Sequence, residues 1–256
     1  MNPTLEKLSP WLFTIGMFVL WELVCRIFKI DTFVLPAPSQ IFQAVGQYWL
    51  PLTKNAFVTL WTTLAGFALA VAFGIVLGII MGWSRAIYRG LYPVMIGFNS
   101  VPKVAVVPIL IIWFGIGIVP AVLTAFLISF FPIVVNVATG LASMEPELED
   151  VLRALGAKKL DIMLKVGIPR TQPYLFGSLK VAVTLAFIGA VMSETIGANA
   201  GLGHLMVQAG SNFQMPLVFA CLLGLAVEGI VMYAVFAYVE TYFTGWAFRS
   251  SMSAAA

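Results

Sequence analysis

The sequence is poor in charge. Asp, Glu, Lys and Arg make up 10% of its 256 residues, where a soluble globular domain carries about a quarter. With 61% hydrophobic residues and a mean hydropathy of +1.00, that scarcity excludes an ordinary water-soluble domain. Histidine occurs once, at His204, and cysteine twice, at Cys25 and Cys221, each in an apolar run. A disulfide framework and a CxxC metal or redox site are therefore excluded, and the two thiols read as packing residues. No G-x4-G-K-[ST] phosphate loop, no H-E-x-x-H and no G-x-S-x-G is present, so the chain lacks the usual equipment of an ATPase, a zinc protease or a serine hydrolase. The net charge of +3 is scattered, without the basic stripe that nucleic-acid binding requires. Long hydrophobic runs remain, and they identify an integral membrane protein.

A hydrocarbon core about 30 Å thick takes roughly 20 apolar residues in a helix. Six segments meet this length: about 10 to 28, 56 to 83, 91 to 115, 119 to 142, 174 to 196 and 216 to 245. The first is too long for a signal-peptide core and has no A-x-A-like cleavage site, so it is expected to stay as a span. Between the first two, Pro36 and Pro38 break the chain and Ser39 offers a cap. Ile41, Phe42 and Val45 share a helical face, which predicts an interfacial helix. Basic residues stay on the cytoplasmic side. One set of loops holds Arg85, Arg89, Arg153, Lys158, Lys159, Lys165 and Arg170, with Lys7 and Arg249 at the tails, whereas the other holds only Arg26, Lys29 and Lys54. Both termini are thus expected in the cytoplasm, and the loop from Gly197 to Met215 outside. In the second span Gly66, Ala70, Gly74, Gly78 and Gly82 recur every fourth residue, a stripe that lets a second helix approach closely.

The stretch from about 143 to 173 is charged in an otherwise apolar chain. Pro146 suits a first helical turn, Glu147, Glu149 and Asp150 set negative charge at its positive end, and Leu148, Val151, Leu152 and Leu155 fall on one face. Gly156 is a C-terminal stop. A second amphipathic turn over Lys158 to Val166 is expected to close before Pro169 and Pro173. Read from these residues alone, the product is either an interfacial connector or a helix-glycine-helix elbow that meets a partner.

The spacing of Gly156, nine residues, then Val166-x-Ile168-Pro169 resembles the cytoplasmic E-A-A-x3-G-x9-I-x-L-P loop of ATP-binding-cassette importer permeases. Asp150-Val151-Leu152 stands where that motif has Glu-Ala-Ala, which keeps the charge and loses the two small residues. Ser100-Val-Pro-Lys-Val-Ala-Val-Val-Pro-Ile-Leu-Ile-Ile-Trp-Phe-Gly-Ile-Gly117, Ser193-Glu-Thr-Ile-Gly-Ala-Asn-Ala-Gly-Leu-Gly-His-Leu205 and Leu35-Pro-Ala-Pro-Ser39 are similar to stretches of the nitrate, sulfonate, taurine and bicarbonate branch. That branch also includes permeases for thiamine precursors. The resemblance implies one transmembrane domain over 1–256, an all-α type I importer permease with six spans in the bacterial inner membrane. It further implies a homodimer with two ATPase subunits, which bind ATP and Mg, and an external solute-binding protein, periplasmic or lipid-anchored. No cofactor is expected on this chain. Asp150, Leu152, Leu155, Gly156, Ala157, Asp161 and Pro169 are the expected contacts that couple it to the ATPase. The solute is expected to be small and anionic (a sulfonate, taurine, nitrate or bicarbonate), with a pyrimidine as the alternative.

Ionisable and polar groups inside spans mark functional positions. Lys103, beside Pro102, reads either as a cation on the translocation path or as a structural ion pair with Glu194 or Glu228. Asn99, Ser100, Ser129 and Glu194 are the other path candidates, Glu194 being also a helix-end cap, a gate element or a contact for the binding protein. Glu22 and Glu228 are expected to tie spans together, Lys180 to reach the headgroups, and His204 and Asn212 to lie in the outer loop. A secondary transporter would show inverted repeats, and a membrane enzyme a catalytic cluster; the sequence has neither.

Overall fold

The computed structural model describes residues 3–253, and every regular element in them is helical. Helix α1 (Pro3–Ile27) leads to the short α2 (Pro38–Gln47), then α3 (Trp49–Gly82) and α4 (Arg85–Ser100). A 3-10 turn (Lys103–Val106) joins α4 to α5 (Val107–Phe114), followed by α6 (Ile118–Ala142), α7 (Pro146–Ala154) and α8 (Lys159–Ile162). A π turn (Met163–Gly167) joins α8 to α9 (Ile168–Gly197), and α10 (Leu202–Ser211) and α11 (Met215–Ser253) complete the order. Four helical stretches are long and apolar enough to cross a membrane: α3, α6, the run containing α9, and the Met215–Thr244 part of α11. The pair α4–α5, bent by 74°, makes a fifth. Helix α1 stands where the remaining expected span lies. The side chains of Lys7 and Arg249 lie outside those described.

Helices α3, α6 and α9 pack together at the centre. The small-residue stripe of α3 is the reason they can. A methyl group added at Gly74 would lie 2.8 Å from Ile133 Cβ, and one at Gly78 2.7 Å from Val137 Cβ, both well inside van der Waals contact. Ala70, Ile133, Val137 and Ala182 are buried in the resulting core. The stripe is therefore a packing surface, as its spacing predicts. Gly78→Ile is expected to destabilise the helix pair by about 1–3 kcal/mol, the usual penalty for overpacking. A drop in the thermal inactivation temperature of the detergent-solubilised protein would record it, whereas Gly90→Ala, where a methyl group has open space, should leave that temperature unchanged.

The third expected span is broken for a local reason. Pro102 has no N–H to donate and disfavours the helical conformation at Val101, which sits at ψ 127°. The fifth begins earlier in the chain than expected, because the chain continues from α8 through the π turn into α9 instead of closing before Pro169 and Pro173. The Ile168 N–H reaches back five residues to the Met163 carbonyl. The wider turn sets Pro169 in the first turn of α9, where its missing N–H is tolerated, and Pro173 lies inside the helix.

The loop expected outside, from Gly197 to Met215, contains α10. Its Leu202, Leu205 and Ala209 are buried in a second cluster with Ile41 and Ala44 of α2 and Leu217 and Cys221 of α11. Helix α2 is the expected amphipathic element, but Ile41 and Ala44 form its buried face while Phe42 is exposed. Its cap is Ala37 and not Ser39, the Ala37 N–H donating to Gln40 Oε1 at 3.0 Å. Ser39 lies in the first turn, donating from its N–H (3.0 Å) and hydroxyl (2.8 Å) to the Glu22 carboxylate, so Glu22 ties α1 to α2.

Candidate functional site

The charged segment folds as an elbow. Helix α7 begins at Pro146 with Glu147 and Glu149 in its first turn and Arg153 in its last, an order that matches the helix dipole. It stops at Gly156, which adopts φ +87°. The Ala157 N–H donates to the Leu152 carbonyl at 3.0 Å and the Gly156 N–H to the Arg153 carbonyl at 2.9 Å. This is a Schellman stop, a conformation that favours glycine. After Lys158 the chain re-enters helix in α8 and runs unbroken into α9, so the second limb of the elbow is one piece with that span. Ion pairs brace it: Arg153 with Glu149 at 2.5 Å, Lys165 with Asp161 at 3.8 Å and Arg170 with Glu145 at 3.1 Å.

The apolar face expected of α7 is split. Leu148 and Leu152 are half-buried, whereas Val151 and Leu155 are exposed, Leu155 by 79%. Leu160 of α8 and Leu164 of the π turn are exposed as well. Asp150 and Pro169 lie on the exposed surface, and Ala157 and Asp161 are half-buried. Val151, Leu155, Leu160 and Leu164 thus set exposed apolar side chains on both sides of the Gly156 stop.

Lys103 is half-buried in the break between α4 and α5. Its ammonium donates to the Asn99 carbonyl and to Asn99 Oδ1, both at 2.5 Å. It forms no ion pair with Glu194 or Glu228, so the structural pair weighed for it is absent. Asn99 and Ser100 are exposed, with the Ser100 hydroxyl donating to the Ile96 carbonyl at 2.9 Å. Ser129 does not join them. It is fully buried and its hydroxyl donates to the Ala125 carbonyl at 2.6 Å, so it lines no open surface in this conformation.

Glu194 lies in the interior, 2% exposed, which in this conformation keeps it from a binding protein docked outside. Its Oε2 accepts from the Thr59 hydroxyl at 2.9 Å and the Gly203 N–H at 3.0 Å, and its Oε1 from the Thr62 hydroxyl at 3.4 Å. Thr59 Oγ1 in turn accepts from the Leu202 N–H at 2.8 Å, and Asn55 Oδ1 from the Gly201 N–H at 2.8 Å. The carboxylate thus knots α3, α9 and the start of α10. Gly201 adopts φ +111°, and a methyl group there would collide with the carboxyl group. The roles of Asn55, Thr59 and Thr62 were missed in the sequence reading, although Thr59 and Thr62 fall one turn apart in an apolar span. Of the other intramembrane charges, Lys180 pairs with Glu240 of α11. The Glu228 carboxyl oxygens are buried and meet no donor among the described residues, so Glu228 ties nothing by hydrogen bonding. His204 is half-buried on α10, not in a loop, and Asn212 is exposed just past it.

The family model for the inner membrane component of binding-protein-dependent transport systems matches residues 74–244. The formylaminopyrimidine transport permease protein ThiX of Halalkalibacterium halodurans is 34% identical over 96% of this chain and 98% of its own. The nitrate import permease protein NrtB of Synechococcus elongatus is 28% identical over 90% of this chain and 89% of its own. A solved structure of the MetNI methionine transporter in an inward-facing conformation superposes with a TM-score of 0.65 at 21% identity, covering 78% of this chain and 98% of that one. The chain therefore belongs to the inner membrane components of binding-protein-dependent transport systems, in the nitrate and thiamine-precursor branch of the ATP-binding-cassette importer permeases.

Proposed function

We propose that two copies of this chain form the translocation path of an ATP-driven importer, with both termini in the cytoplasm and two ATPase subunits docked on the elbow at 143–173. A solute-binding protein delivers the solute from outside, and ATP with Mg is bound and hydrolysed on the ATPase subunits. The observation that carries this reading is the exposed Val151, Leu155, Leu160 and Leu164 surface on an elbow continuous with α9. A partner seated on Leu160 and Leu164 bears directly on α9, and one on Val151 and Leu155 acts through the Gly156 stop. Gly156 sets the angle of the elbow, Leu152 and Ala157 support it from the half-buried side, and Asp150, Asp161 and Pro169 lie at its rim. For the switch to work, the ATPase must bind the inward-open and outward-open forms with different affinity.

The proposed solute is a small anion, met by Lys103 with Asn99 and Ser100 at the broken helix. Glu194 serves the path by holding its outer end. A pyrimidine is the second reading, favoured by the 34% identity to ThiX. The test is uptake by vesicles holding the permease, its ATPase and its binding protein, offered taurine, nitrate and an aminopyrimidine in turn. Lys103→Ala is expected to lower anion uptake roughly tenfold or more, the effect of losing one hydrogen bond to a charged group, with ATPase capture intact. Undiminished uptake by that variant would remove Lys103 from the path.

A further inference from the structure

At the end of the molecule that carries the elbow, a cavity of about 360 Å³ opens between the ends of α3 and α6, the first turn of α4, and α7–α8. Arg85, Arg89, Arg153 and Lys159 line it, against one acid, Glu149. Glu149 is already paired with Arg153, and the Lys159 ammonium lies over the Trp83 ring, 5.2 Å from its centre. Arg85 and Arg89 meet no carboxylate among the described residues. They stand four apart on α4, where like charges repel, and they flank the positive end of that helix, which is capped by the Ser84 hydroxyl accepting from the Ala86 N–H at 3.2 Å. Such a cluster of cations attracts an anion.

Its setting says which anion. Trp83 closes the apolar α3, Tyr88 and Tyr92 stack at 5.1 Å, and tryptophan and tyrosine gather where a bilayer meets water. Trp83 and Ile87 present exposed apolar surface next to the arginines, which a free ion would not use and an acyl chain would. We propose that this cavity holds the phosphodiester headgroup of an anionic phospholipid, seated against the back of the elbow. Basic pockets on the cytoplasmic side of helix bundles have this chemistry. The inference rests on the cytoplasmic placement of the elbow, and it makes the stiffness of the elbow depend on lipid composition.

The test is native mass spectrometry of the permease released from nanodiscs of phosphatidylglycerol mixed with phosphatidylcholine, alone and as the assembled importer. Wild type should retain phosphatidylglycerol selectively in both forms. Arg85→Gln with Arg89→Gln should retain roughly tenfold less or lower still, from two lost surface cations, while the Arg85→Lys, Arg89→Lys pair and Lys158→Gln, a cation outside the cavity, should retain it. Equal retention by the double glutamine variant would overturn the proposal. So would displacement of the lipid by millimolar inorganic phosphate, which would mark a free-anion site. Retention that vanishes on assembly would also overturn it, by making an acidic ATPase segment the occupant. ATPase capture, measured in parallel, separates this outcome from failure of the coupling reading, since each can fail without the other.

Discussion

Gly156→Val is expected to abolish both capture of the ATPase subunit and uptake, while the chain still inserts in the membrane. Gly156 holds φ +87°, and an added methyl group there would meet nothing within 4 Å in this chain. The penalty is therefore conformational. An L-residue in the left-handed region loses about 1–2 kcal/mol, and a β-branched one loses more. A nine-residue helix such as α7 is too short to be stable on its own in water, so a strain of that size is enough to unwind its last turn and swing Leu155 away from the docking surface. Gly156→Asn, which tolerates the left-handed conformation, should recover much of the capture. Pull-down of the ATPase with each variant is the measurement, and wild-type capture by Gly156→Val would reduce the elbow to a connector.

Glu194→Ala is expected to lower the stability of the α3–α9–α10 end by about 3 kcal/mol, more than a surface substitution does. The change leaves the buried Gly203 N–H without its acceptor and removes the Thr59 and Thr62 contacts to the carboxylate, although both hydroxyls keep a backbone carbonyl, Asn55 at 3.2 Å and Thr59 at 3.0 Å; a buried donor left unmet costs about 1–3 kcal/mol. Glu194→Gln keeps one carbonyl acceptor and should lose less. Thermal inactivation of the two variants in detergent compares them directly. Equal stability of Glu194→Ala and wild type would show that α3, α9 and α10 hold together without the knot.

Most of the architecture was legible in the sequence, because its causes are local. Hydrophobic length placed five of the six expected spans, counting the bent α4–α5 pair, four-residue recurrence of small residues marked α3 as a surface for close packing without naming α6, and Gly156 after an apolar heptad placed the elbow. Distant partners were not legible. Nothing near Glu194 in the chain announces Thr59, whose hydroxyl lies 135 positions away in sequence. Nor does composition around Lys103 reveal that Asn99, one turn back, takes the contact a carboxylate was expected to make. The continuity of α8 with α9 escaped because Pro169 and Pro173 read as stops, and only a π turn, which sequence periodicity does not signal, reconciles them with helix. Helix α10 was missed although Leu202, Leu205 and Ala209 repeat at helical spacing, since the glycines around it read as loop.

The unbroken α8–α9 run has a mechanical consequence. The 30 residues of α9 form a rod of about 45 Å at 1.5 Å per residue, with the elbow at one end and Glu194 close to the other. Pivoting such a rod about its middle by about 5° displaces each tip by about 2 Å, sideways and in opposite senses. That displacement is on the scale needed to part hydrogen bonds of 2.9 to 3.4 Å at the Glu194 knot. The bolt at the Glu194 end and the handle at the elbow end are thus two ends of a single lever, and a pivot about its middle moves both.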